Sequence, residues 1–132
     1  MRVLVDTSAL FALLCADDSN AVRARAAFER AAVADVGLVC TSYVLVETYA
    51  LVGRRLGAAA VAAFRADVAP LLQVVWVDAT LLEAGLDRLV ADGRRSLSLV
   101  DCVSFVAFER LGLDAVMAFD RHFDEAGLPA FG

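Results

Sequence analysis

The sequence predicts an α/β protein, a parallel sheet with helices on both faces in a three-layer α/β/α sandwich. Four short, unbroken apolar runs (Arg2–Val5, Leu38–Cys40, Val74–Val77 and Ala115–Phe119) are separated by helical segments. Such runs are strands buried on both faces, and connections of that length suit crossovers between parallel strands. An aspartate closes three of them: Asp6, Asp78 and Asp120 stand at the carboxyl ends, where open α/β sheets bind ligands.

In order, the first strand ends at Asp6 and a helix spans Thr7 to Leu14. The turn "CADDSN" offers Asp18, Ser19 or Asn20 as a cap for a helix over Ala21–Ala34. After the second strand, "TSYVLVETYALVGRRLG" (Thr41–Gly57) reads as a helix apolar almost all round, carrying one carboxylate, Glu47. A helix over Ala58–Ala69 stops at Pro70. Asp78 can cap the helix Ala79–Ala91, and "ADGRRS" is an exposed loop. A very apolar helix runs over Ser98–Leu111 to Gly112. Asp120 opens a short helix and a tail. No repeat, low-complexity tract or linker interrupts the chain, so residues 1–132 are expected to form a single domain.

Composition narrows the function. The longest run without a charge, Val36–Val46, is eleven residues, too short to span a bilayer. Val3-Leu4-Val5 is too short for a signal-peptide core. A soluble cytoplasmic protein is expected, its 61% hydrophobic content filling a dense core and an association surface. Cys15, Cys40 and Cys102 lack metal-like spacing and are expected as reduced, buried thiols. The net charge of −5 argues against simple coating of nucleic acid but allows a divalent cation and local phosphate contacts. All twelve basic residues are arginine, which removes any chemistry that needs a lysine.

The carboxylates carry the argument. Glu47 has Tyr43, Val44, Ala50 and Leu51 at helical spacing, and Asp101 has Leu97, Ser98, Ser104 and Phe105. No basic residue shares either face, and burying an unpaired carboxylate costs several kcal/mol. Asp101 could instead be a first-turn acid favoured by the helix dipole. Asp6 and Asp120 could be helix caps, and Asp78 fits capping best. Were the first and fourth strands adjacent, Asp6, Glu47, Asp101 and Asp120 could share one pocket. Like charges there raise one another's pKa unless a cation neutralises them. Oxygen donors suit Mg²⁺ or Mn²⁺, while a single histidine, His122, and unpaired cysteines speak against zinc. Such an ion can polarise a phosphoryl group and activate water, so the expected reaction is phosphodiester hydrolysis. Ser8 is a candidate for a metal-bound water or a phosphate oxygen, or an ordinary first-turn serine.

"VLVDTSAL" (Val3–Leu10), "VLVETYAL" (Val44–Leu51), "SLVDCVSF" (Ser98–Phe105) and "FDRHFDEAG" (Phe119–Gly127) together resemble the PIN domain, and more narrowly the VapC-type toxins of type II toxin–antitoxin systems. The resemblance spans essentially the whole chain. It implies a sheet of about five parallel strands in the order 3-2-1-4-5. It also implies a Mg²⁺- or Mn²⁺-dependent endoribonuclease that inhibits translation, forms a homodimer and is bound by a small cognate antitoxin. Asp6, Glu47, Asp101 and Asp120 match the family's acidic quartet, and Asp124 matches an acid found in some members. The chain departs from the pattern at Ala118, where the family usually has Ser or Thr. Arg94, Arg95, Arg121 and the Arg54-Arg55 pair are candidates for RNA contact. Phe11, Phe28, Tyr49 and Phe64 are apolar contacts for a partner, or core residues. Two other readings compete. One is a receiver or phosphoaspartyl phosphatase, which the missing lysine and Ser8 disfavour. The other is a catalytically degenerate module of the same fold that binds RNA or protein.

Overall fold

A computed structural model describes residues 1–131. β1 (Arg2–Val5) lies inside a parallel sheet of order β3-β2-β1-β4, with β2 at Gly37–Thr41, β3 at Leu72–Val75 and β4 at Ala115–Met117. Val3 pairs with Leu38 on one side and Ala115 on the other, so the first and fourth strands are neighbours.

Strand side chains alternate between the two faces, as the pleat requires. Val3, Val5, Leu38, Cys40, Ala115 and Met117 point into one core with Ala9 and Leu10 of α1 (Thr7–Leu14), Ala27 and Ala31 of α2 (Ala21–Val33), and Val44 of α3 (Ser42–Leu56). Leu4, Val39 and Val116 point the other way, against Cys102 and Phe105 of α6 (Leu99–Leu111) and Phe123 of α7 (Arg121–Glu125). α5 (Ala79–Asp92) packs on α6 so closely that a Cβ on Gly85 would lie 2.5 Å from Val103 Cγ2.

The structure corrects two expectations. Among the described residues the sheet has four strands, and the fifth is reduced to one parallel bridge between Val116 and Ala130. There Val116 N–H donates to the Pro129 carbonyl and Phe131 N–H to the Val116 carbonyl. The tail holds "LPAFG", and Pro129 has no N–H with which to extend a ladder. The helix expected over Ala58–Ala69 keeps α-geometry only in α4 (Ala58–Ala63). It widens into a π-turn at Phe64–Val68 and tightens to a 3-10 turn at Ala69–Leu71. The wider turn accompanies Phe64 fully buried, edge-on to Tyr49 at 4.9 Å between ring centres. Phe64 and Phe11 are therefore core residues, unavailable to a partner.

Cys40 and Cys102 are buried and Cys15 only partly so, all three free. Burial pushes the Cys40 thiol up to about 11, which leaves it inert at neutral pH.

A candidate metal centre at the carboxyl edge of the sheet

Asp6 follows β1 directly, and its N–H donates to the Met117 carbonyl at 3.0 Å, so the sheet fixes its backbone. It is also the N-cap of α1. Its Oδ2 accepts from Ser8 N–H at 3.1 Å and from the Ser8 hydroxyl at 2.7 Å. Ser8 Oγ in turn accepts from Phe119 N–H at 2.9 Å, joining the end of β1 to the segment that leads into Asp120. Capping and site formation are thus served by one carboxylate. Asp6 is 4% exposed, and burial, with the Asp101 charge adding to it, pushes its carboxyl up to about 6 despite the Ser8 bonds.

Asp101 occupies the third position of α6 in a capping box with Ser98. Its N–H donates to Ser98 Oγ at 3.0 Å, and its Oδ2 accepts from Ser98 N–H at 3.4 Å. It is buried, and burial raises its pKa, with Asp120 contributing in the same direction. Asp120 is the N-cap of α7, accepting from His122 N–H at 2.9 Å.

His122, two residues beyond Asp120, is 7% exposed. Its Nδ1 lies 2.8 Å from Asp120 Oδ1 and 3.8 Å from Asp101 Oδ2. The 2.8 Å approach is off the hydrogen-bonding direction, and Nδ1 has no hydrogen-bond partner among the described residues. Its Nε2 is 3.3 Å from Ser96 Oγ. Donor atoms of Asp101, Asp120 and His122 all lie within 4.8 Å of one another. Two donors on an octahedral ion at ~2.1 Å are ~3 Å apart when adjacent and ~4.2 Å when opposite. The 2.8 and 3.8 Å separations fall in or near that range. The donor set and the orphaned ring nitrogen therefore fit a divalent cation.

Glu47 requires a correction. It is exposed, not buried. The buried side of α3 is Ser42, Val44, Thr48 and Val52, and Glu47 lies a step off that stripe beside Val46, itself 63% exposed. The apolar outer face of the helix gave the impression of all-round burial. Glu47 is outside the group of close donor atoms; its neighbour Thr48 has its hydroxyl 3.5 Å from that of Thr7, the residue after Asp6. Asp124 is exposed, one turn beyond Asp120. Ala118 packs into the apolar cluster of Leu4 and Val116. Asp78 caps α5 through Leu81 N–H at 2.9 Å and takes no part in the site.

The arginines divide. Arg94 is held by Asp92 at 2.7 Å and Glu125 at 2.6 Å, bracing the loop before α6 against α7. Arg121 is 3.7 Å from Glu125. Arg95 is exposed and makes no ion pair among the described residues. Arg23, which sequence reasoning passed over, lies 4.9 Å above the Phe119 ring, next to Asp120. Together with Phe119 and Phe131 it lines a cleft of about 230 Å³.

Fold and site define an α/β domain with an acidic, cation-competent centre at the carboxyl edge of its sheet. Residues 3–128 match the PIN domain, and the chain belongs to the PIN domain family. It is 36% identical over 127 residues to the 23S rRNA-specific endonuclease VapC20 of Mycobacterium tuberculosis, covering 95% of this chain and 94% of that one. The crystal structure of that protein, described as a sarcin-ricin loop cleaving toxin, superposes with a TM-score of 0.82 over 96% of this chain and 95% of its own, at 32% identity. FitAcB from Neisseria gonorrhoeae shares the fold, with a TM-score of 0.69 over 100% of this chain and 97% of that one, at 18% identity.

Proposed function

We propose that the protein is a divalent-metal-dependent endoribonuclease, the toxin of a toxin–antitoxin pair, which blocks translation by hydrolysing RNA phosphodiester bonds. The observation that carries the reading is the clustering of Asp101, Asp120 and His122 donor atoms within 4.8 Å of one another, with Asp6 near enough to feel the Asp101 charge. The 36% identity to a 23S rRNA-specific endonuclease over nearly the whole chain supports ribosomal RNA as the substrate class.

Asp6, Asp101 and Asp120 would hold Mg²⁺ or Mn²⁺, with Glu47 on the open side. When bound, the ion polarises the scissile phosphoryl group and lowers the pKa of an attacking water. The protein supplies positioning. Ser8 takes both of its bonds to Asp6 on Oδ2, which fixes the carboxylate plane and leaves Oδ1 free to ligate. Ser98 holds Asp101 more lightly: its N–H donates to Asp101 Oδ2 at 3.4 Å, while its hydroxyl accepts from the Asp101 backbone N–H at 3.0 Å. Glu47, exposed and without an ion-pair partner among the described residues, is suited to orient water on the side from which RNA enters. To Asp124, exposed one turn beyond Asp120, we assign the holding of outer waters. Arg95, Arg121 and Arg23 offer phosphate contacts, with Arg54 and Arg55 further along α3.

No helix among the described residues is long and apolar enough to cross a membrane; the cytoplasm is assigned as the place of action because the proposed substrate is ribosomal RNA. Exposed apolar side chains such as Val33 (90%) and Trp76 (72%) give an antitoxin and a second copy surface to cover. The test is cleavage of RNA and of single-stranded DNA by purified protein, with Mg²⁺ or Mn²⁺ and with chelator. Metal-dependent cutting of RNA alone is expected. Cutting that survives chelation, or that prefers DNA, would overturn the reading.

A further inference from the structure

We propose that the His122 imidazole is itself a ligand of the cation, through Nδ1, making the centre a mixed nitrogen–oxygen site. The inference rests on the metal-dependent reading above and adds a donor that no acidic motif contains. A buried histidine ordinarily satisfies both ring nitrogens. Here Nε2 has Ser96 Oγ at 3.3 Å, while Nδ1 is buried without a hydrogen-bond partner among the described residues. With the ring proton on Nε2 and donated to Ser96, Nδ1 keeps an unused lone pair, with Asp120 Oδ1 at 2.8 Å and Asp101 Oδ2 at 3.8 Å around it. Three electron-rich atoms so close repel one another unless a positive charge lies between them. A histidine ligand whose far nitrogen is hydrogen-bonded is the usual arrangement at metal centres, since that bond fixes tautomer and ring orientation. The backbone supports it: α7 begins at Arg121, and its N-cap bond from His122 N–H to Asp120 holds the two residues together. A nitrogen donor also biases the choice of ion. Mg²⁺ favours an all-oxygen shell, whereas a transition ion gains from imidazole, so Mn²⁺ should bind more tightly than Mg²⁺.

His122 is the chain's one histidine, which allows a test on the unmutated protein. Tag-free protein loaded with substoichiometric Mn²⁺ is examined by pulsed electron paramagnetic resonance, once with natural and once with ¹⁵N-labelled histidine. A directly bonded nitrogen whose coupling changes with the label is expected. Alongside it, His122→Ala should weaken Mn²⁺ binding at least tenfold and Mg²⁺ binding less, with circular dichroism confirming the fold. Tight Mn²⁺ binding with no label-sensitive nitrogen would overturn the ligand assignment and leave the nuclease reading standing. Failure of the unmutated protein to bind Mn²⁺ or Mg²⁺ at all would overturn both.

Discussion

Asp6→Asn should make the metal-free protein more stable while abolishing its response to metal. In the folded chain burial holds the Asp6 carboxyl at about 6, against 3.8 for an exposed aspartate. Between those values the folded state keeps a proton that the unfolded state releases, so stability falls as pH rises from 4 to 6 and then levels off. A shift of about two units, at 1.36 kcal/mol each, amounts to about 3 kcal/mol of destabilisation at pH 7. At pH 4.5, where the folded carboxyl is still protonated, the same linkage leaves about 1 kcal/mol. Asparagine is neutral and nearly isosteric, and its oxygen can still accept from Ser8. It should recover most of this penalty, or roughly 10 °C in melting temperature at pH 7 and about a third of that at pH 4.5. Thermal unfolding in chelator at the two pH values measures it directly. Added Mn²⁺ at a hundred times its Kd should stabilise the unmutated protein by about 2.7 kcal/mol and Asp6→Asn far less. If Asp6→Asn is destabilised in chelator, or equally shifted at both pH values, Asp6 is not a strained carboxylate awaiting a counter-charge.

Other variants separate site from scaffold. Glu47→Gln should leave metal-free stability within about 0.5 kcal/mol, as for any exposed residue, yet lower RNA cleavage by tenfold or more; a large fall in melting temperature would contradict its exposure. Ser104 Oγ is buried on α6 without a hydrogen-bond partner among the described residues, so Ser104→Ala should be neutral or stabilising by about 1 kcal/mol in urea unfolding. Gly85→Ala drives a Cβ to 2.5 Å from Val103 and should cost about 1–3 kcal/mol by prising α5 from α6, outweighing alanine's better helix propensity.

Much of the fold was legible because apolar period and caps agreed locally. β1 and α1 fall where the sequence places them, and Asp78 caps α5 as expected. The fifth strand was not legible, because one bridge at Ala130 leaves no pattern of its own. At the site, Asp6, Asp101 and Asp120 could be singled out as acids at strand ends or in an apolar helix. Glu47 misled because alanine and valine look the same in sequence whether they face the core or solvent. Only the burial of Thr48 and Val44 shows which side of α3 is inward. His122 was missed because burial of a residue in a five-residue helix depends on what packs over it, here the loop carrying Ser96 and the start of α6. The signal available was its position two residues after Asp120.

Cutting of RNA by ionised carboxylates gathered around a cation is the activity that everything above leads to. Its most direct test maps 5′ ends of cellular RNA after inducing the unmutated protein or Asp101→Asn. New ends at discrete ribosomal RNA positions with the former and none with the latter are expected. Identical maps from the two would contradict the account.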